Sequence, residues 1–342
     1  MRQTCLSLAL FFLLLFWTHV PLRAETHNPA EIRSLYLSTD NLHNSRKIAE
    51  LEHLIRATSA NGIVIDFKDS NKPDLEYIKK LVTRFRNAGS YTIARIVTFQ
   101  DKYFAQKNPE IAIRTKTGTF WWSGAQKWQR YWVDPASELA QNYAIEIAKR
   151  AIDCGFDEIQ FDYVRFPTDG NMKNIVYPVF KPEQTKSAVM EQFFKKMRHE
   201  LNIYAPDILI GIDLFGEVFL YGRERGIGQD LADVAHYFDV LSPMAYPTHY
   251  QCGTFKVKDP SAHPYLVYST TLGNGLKFLN GKKVIIRPWI QAFTLRNIYG
   301  CGPSILYTPA MIKQQIKAGT DLGINGFMLW NVGNNFSPEI FE

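Results

Sequence analysis

Apolar runs of strand length alternate with amphipathic stretches along almost the whole chain. The strand-like runs cover 34–38, 62–68, 92–98, 158–164, 209–214, 240–245, 284–290 and 326–330. Between them, 46–59, 75–88, 138–154, 184–204 and 309–322 carry apolar residues at helical spacing. Gly62, Gly89, Gly155, Gly281 and Gly323 fall where helices end or strands begin, as helix-terminating glycines do. Strands that alternate with helices imply a parallel sheet. Eight such repeats in about 300 residues fit one α/β unit, a single (β/α)8 TIM barrel with extended βα loops, better than an open doubly wound sheet. No GxGxxG follows a first strand, so a dinucleotide fold is disfavoured. The longest connections, 100–135, 167–182, 215–229 and 247–262, are βα loops, which build the active face of such a barrel.

Side chains alternate across a strand, so parity assigns them to faces. In 63–68 the odd positions are apolar, which sends Asp66 and Lys68 toward the barrel interior. The same argument turns Gln160, Asp162 and Asp213 inward. It adds Arg95 from the third strand, Met244 and Tyr246 from the sixth, and Arg287, Trp289 and Gln291 from the seventh. Charged groups buried there must pair with one another or face a water-filled mouth. An ion-pair network that merely closes the barrel is the structural alternative.

Two carboxylates on adjacent strands suit glycoside hydrolysis, in which one acid protonates the leaving oxygen and the other attacks carbon or activates water. Asp162 and Asp213 end the fourth and fifth strands. Arg95 and Arg165 are placed to keep Asp162 ionised, and Asp213 or Glu217 is the candidate proton donor. Glu217 reads equally as a solvated loop residue. The loop 119–132 holds Trp121, Trp122, Trp128 and Trp132, and Trp289 and Trp330 join it from later strand ends; sugar rings stack on such faces. A hairpin packed on the rim is the other reading of that loop. His249 either binds a substrate hydroxyl or is a rim residue.

Arg2, the apolar run 6–17, Pro21 and Ala24 read as a secretory leader over 1–24, with residues 25–342 forming the barrel domain. The run is short for a membrane span. Membrane attachment is therefore expected only if the leader stays uncleaved, and the location is periplasmic or extracellular. The net charge of +6 falls to +4 without Arg2 and Arg23, with no long basic block, so a nucleic-acid partner is not suggested. Export leaves Cys154, Cys252 and Cys301. Cys154 reads as a small buried hydrophobe. Cys252 and Cys301 fall in loops on one face of the expected barrel, either bridged or both free. No CxxC or His/Cys cluster suggests zinc, and no cofactor motif appears.

Several stretches resemble the bacterial putative glycosyl hydrolase domain family. They are GFDEIQFDYVRFPTDG (155–170), IDLFG (212–216), GIGQ (226–229), LSPMAYPTHY (241–250), IIRPWIQAF (285–293) and GFMLWN (326–331), joined by IVIDFKDSN (63–71) and ARIVTFQDKYFAQKNPE (94–110). The resemblance spans nearly the whole exported chain. It implies a barrel related to the α-amylase-like hydrolases, with Asp162 as nucleophile and a strand-five carboxylate as acid/base. The family pattern has an acidic residue after the Gln of the strand-seven motif, where this chain has Ala292. Three readings follow: an exported hydrolase of a cell-wall polysaccharide or exopolysaccharide, an inactive carbohydrate-binding barrel, and a metal-dependent hydrolase using Asp66, Asp162 and Asp213.

Overall fold

A computed structural model describes residues 27–69, 73–124, 129–223, 226–296 and 298–342. The proposed leader, Trp128 and the Asn71 end of the 63–71 motif lie outside the described residues. Eight parallel strands run β1 (Arg33–Leu37), β2 (Gly62–Lys68), β3 (Tyr91–Val97), β4 (Glu158–Asp162), β5 (Leu209–Phe215), β6 (Val240–Met244), β7 (Ile285–Ile286, resuming at Trp289–Gln291) and β8 (Phe327–Trp330). Each pairs with its sequence neighbour, and β8 pairs back onto β1. Pro288 cannot donate to a ladder, which breaks β7. The strand nevertheless bridges the gap, because its first half pairs with β6, its second half pairs with β8, and Met328 donates to the Pro288 carbonyl at 3.0 Å. The sheet therefore closes as a TIM barrel.

The outer layer is α1 (Ser45–Ala57), α2 (Leu75–Asn87), α3 (Glu138–Asp153), α4 (Lys186–Tyr204), α5 (Leu231–Tyr237), α6 (Pro264–Phe278) and α7 (Pro309–Thr320), with the five amphipathic stretches forming α1 to α4 and α7. Asn44, Asp74, Ser137, Thr185 and Asp230 cap the first five through their side chains. The outward strand positions Leu35, Ile63, Ile65, Ile96, Ile159, Phe161, Ile210 and Ile212 pack with Leu51, Leu81, Phe85, Ile147 and Phe193 of the helices. The barrel interior is a separate cluster that includes Tyr36, Val64, Tyr91, Ile93, Trp289 and Met328. Parity thus divides the residues as the alternation predicts.

The sequence pattern does not announce α6, whose Gly273 and Gly275 dilute its helical periodicity. Packing requires one of them: a Cβ on Gly275 would lie 2.0 Å from the Phe219 ring. The helix approaches the short helix Gly216–Tyr221 that closely because it has no side chain there. Cys252 and Cys301 are bridged, joining the loop after β6 to the loop after β7, and Cys154 is free and buried. Among the described residues no helix is long and apolar enough to cross a membrane.

Candidate active site

Asp66, Arg95, Asp162 and Asp213 come together where β2, β3, β4 and β5 end. Arg95 donates through Nη1 to Asp66 Oδ1 at 2.7 Å and through Nε and Nη2 to Asp162 Oδ2 at 3.0 and 2.5 Å. The second Asp66 oxygen accepts from the Tyr36 hydroxyl at 2.6 Å and from the Thr39 amide and hydroxyl at 3.1 Å. Asp162 Oδ1 accepts from the Tyr163 amide at 2.6 Å. Tyr163 has φ of +50°, a left-handed conformation that costs a non-glycine residue roughly 1–2 kcal/mol. The chain turns sharply there, immediately after the carboxylate.

Asp213 is held differently. Its Oδ1 accepts from Gln160 Nε2 at 2.6 Å and from Trp289 Nε1 at 2.5 Å. Its Oδ2 is buried and has no partner among the described residues. One guanidinium serves Asp66 and Asp162, and among the described residues no cation pairs with Asp213. Burial first, and then the negative charge of Asp162, push the Asp213 carboxyl well above the usual carboxylate range. Asp66 is also raised by burial, with Arg95 opposing. Asp162 and Asp213 are 5% and 1% exposed. A cavity of about 180 Å³ opens beside Asp66, lined by Thr39, His43, Asp69, Asp74 and Tyr77. Two larger cavities of about 540 and 550 Å³ lie against α7 and α1, away from these carboxylates.

Aromatic rings cover the cluster. Tyr36 stacks on the half-buried Trp330 at 4.2 Å, the Arg95 guanidinium lies 4.9 Å from the Trp330 ring, and Trp289 meets both rings edge-on. Tyr246 packs edge-on against His249 and Phe293 at 5.2 and 5.5 Å. His249 is exposed at the rim. Glu217 is exposed in the first turn of the helix after β5, whereas Asp213 is buried.

Several other residues read as site or interior residues occupy different places. Lys68 does not join Asp66 in the interior: the β2–β3 register shifts between them, and Lys68 pairs with buried Asp101 at 2.6 Å, near the Tyr143 ring of α3. Arg287 lies at the opposite end of the barrel. There it donates to both oxygens of Glu158 at 2.7 and 2.9 Å and to the Pro29 carbonyl, while Tyr91 also donates to Glu158. Parity gives a side chain's face but not its height. Glu158 and Asp162 share a face yet stand about 13 Å apart along β4.

Gln291 is fully buried and ties Thr248 to the carbonyl of Phe293, so it holds two rim loops together. Arg165 is buried, donates to the Phe166 carbonyl, and lies over the Trp132, Tyr163 and Phe215 rings. The aromatic loop forms a hairpin that pairs Trp122–Ser123 with Arg130–Tyr131. Trp121 and Trp132 are its interior, their indole groups bonded to the Asn171 carbonyl and to Ser123, while Trp122 stays half-buried. Trp121 is therefore a packing residue. Arg95 also occupies the position between Asp66 and Asp162 that a metal would take in the metal-dependent reading. Among the described residues no group of three or more His, Cys, Asp or Glu is arranged to hold an ion.

The fold resembles several solved structures. The glycoside hydrolase domain of PgaB (BpsB) from Bordetella bronchiseptica superposes with a TM-score of 0.62 at 14% identity, covering 91% of this chain and 98% of that one. A class V chitinase mutant from Cycas revoluta, in complex with (GlcNAc)3, gives 0.54 at 9% identity over 89% and 96% of the two chains. The α-galactosidase TtGalA from Thermus thermophilus, in complex with p-nitrophenyl α-D-galactopyranoside, gives 0.53 at 15% over 90% and 60%. At such identities the likeness shows the fold, a TIM barrel of the kind glycoside hydrolases use. A comparison with curated proteins returns no match. The family model described as putative glycosyl hydrolase domain matches residues 70–336, most of the barrel, and the chain belongs to that family.

Proposed function

We propose that the protein is an exported glycoside hydrolase that cleaves a polysaccharide of the cell wall or an exopolysaccharide at the β4–β5 carboxylates. The observation that carries this reading is the asymmetry between the two acids. Asp162 has its charge compensated by Arg95, whereas Asp213 is buried without a cation, and with one oxygen unpartnered, among the described residues. A protonated Asp213 gives its proton to the glycosidic oxygen as the bond to the anomeric carbon breaks, and the sugar leaves as an alcohol. Asp162 supplies the negative charge on the other side, as nucleophile or as base toward water. Trp330, Tyr246 and Trp122 frame the sugar, and exposed His249 meets its hydroxyls. The leader read in residues 1–24 supports export.

Asp162→Asn keeps the shape of the side chain, and Arg95 retains Asp66 as a partner. The variant is expected to stay folded by circular dichroism while oligosaccharide release falls by about 1,000-fold or more. Unchanged turnover would remove Asp162 from the mechanism. The burial of both carboxylates and the presence of Ala292 favour a second reading, a carbohydrate-binding barrel without turnover. Glycan binding with no product from any bound glycan would establish it.

A further inference from the structure

Trp289 reads from its sequence as a platform for sugar stacking, yet it is 1% exposed, and its indole nitrogen points at Asp213 Oδ1. Gln160 reaches the same oxygen from β4. Its neighbour across the sheet is Gly211, where a Cβ would fall 2.0 Å from Gln160 Oε1, so the absence of a side chain at Gly211 leaves room for the amide. Indole nitrogen is a donor only, so Trp289 cannot accept a proton from Asp213. Two donors on one oxygen leave the other as the place for the acid's own hydrogen.

We propose that Gln160 and Trp289 are positioning residues that confine the Asp213 proton to Oδ2, the oxygen with no partner among the described residues. In the free protein that hydroxyl then has its donor unspent, and the glycosidic oxygen is its natural acceptor. Burial supplies the reason for a proton on Asp213 at all, and the two donors decide which oxygen carries it. The placement of the proton stands on geometry alone. Its catalytic use rests on the function proposed above.

Infrared spectroscopy tests the placement without substrate. The carbonyl stretch of protonated Asp213 is identified as the band that disappears in Asp213→Asn. A carbonyl that accepts two hydrogen bonds absorbs at low wavenumber, which is the result expected for the native protein. Gln160→Met and Trp289→Phe each remove one donor and are expected to move the band upward. A native band at the wavenumber of a carbonyl without donors would place the proton on Oδ1 and overturn the assignment. Because that band is read in the native protein, poor folding of either variant does not weaken the test.

With a hydrolysed glycan, both variants are expected to lower kcat by about tenfold or more, part of the roughly 100-fold to 10,000-fold that a placed acid contributes. They are also expected to move the basic limb of the kcat/KM profile to higher pH, because the lost donors stabilised the ionised form. A merely structural role would lower the melting temperature and leave the pH profile in place. Absence of turnover from the native protein would count against the hydrolase reading while leaving the infrared result intact.

Discussion

The two ends of the barrel interior are built from the same residue types and arranged to opposite effect. At the base, Glu158 and Arg287 are fully buried and matched one to one; Tyr91 and the Pro29 carbonyl add hydrogen bonds to the pair, and Arg287 Nε is left without a partner among the described residues. At the mouth, one arginine is shared by Asp66 and Asp162, and Asp213 is left with neutral donors only. Among the described residues the base pair is matched in charge, whereas Asp66, Asp162 and Asp213 have one guanidinium, that of Arg95, between them. Inward-facing charge alone therefore does not mark a site. Unmatched charge does, because a fold gains nothing from burying it.

The comparison predicts that damage at the base is structural. Glu158→Gln or Arg287→Met alone leaves an uncompensated buried charge and is expected to cost about 3–5 kcal/mol in urea unfolding. The double variant should recover most of that loss, and folded molecules of each should keep native turnover. The rim of the mouth is held covalently as well. Replacing both Cys252 and Cys301 with Ser opens a bridge across 49 residues and is expected to cost about 2–4 kcal/mol, with the base pair unaffected.

Asp213→Asn is expected to act in the opposite sense. Burial raises the folded-state pKa of Asp213 above its unfolded value, so the folded chain keeps a proton that the unfolded chain releases. The stability linked to this group is fully present below about pH 3.9 and falls as pH rises toward the folded value. Asn removes that decline. Stability at neutral pH should rise while turnover is lost, and a pH series of unfolding curves reads both the sign and the window. The smallest effect is expected at Trp122→Ala, a rise in KM of a few-fold, worth about 0.5–1 kcal/mol, with kcat little changed. Trp121→Ala should instead lower stability, since that ring is interior and bonded to Asn171.

Much of this was legible in the sequence because both periods are local. The two-residue alternation placed Asp66, Asp162 and Asp213 in one interior, and the loop lengths identified the busy face. The same face held the Cys252–Cys301 bridge. What failed was what periodicity does not encode. A register shift after Asp66 takes Lys68 out of the interior and gives it to Asp101. Arg287 has the right face at the wrong height. The hairpin folds Trp121 and Trp132 inward because their indole donors find partners there. The positive φ of Tyr163 has no marker in the local pattern, since glycine is the residue expected in that conformation.

Chemistry at the mouth and structure at the base are separated most directly by one measurement, mass spectrometry of oligosaccharides released from a panel of bacterial polysaccharides. The native protein and Glu158→Gln/Arg287→Met should release the same products at the same rate per folded molecule, and Asp213→Asn should release none. Equal release by Asp213→Asn, or release by none of the three, would contradict a catalytic mouth.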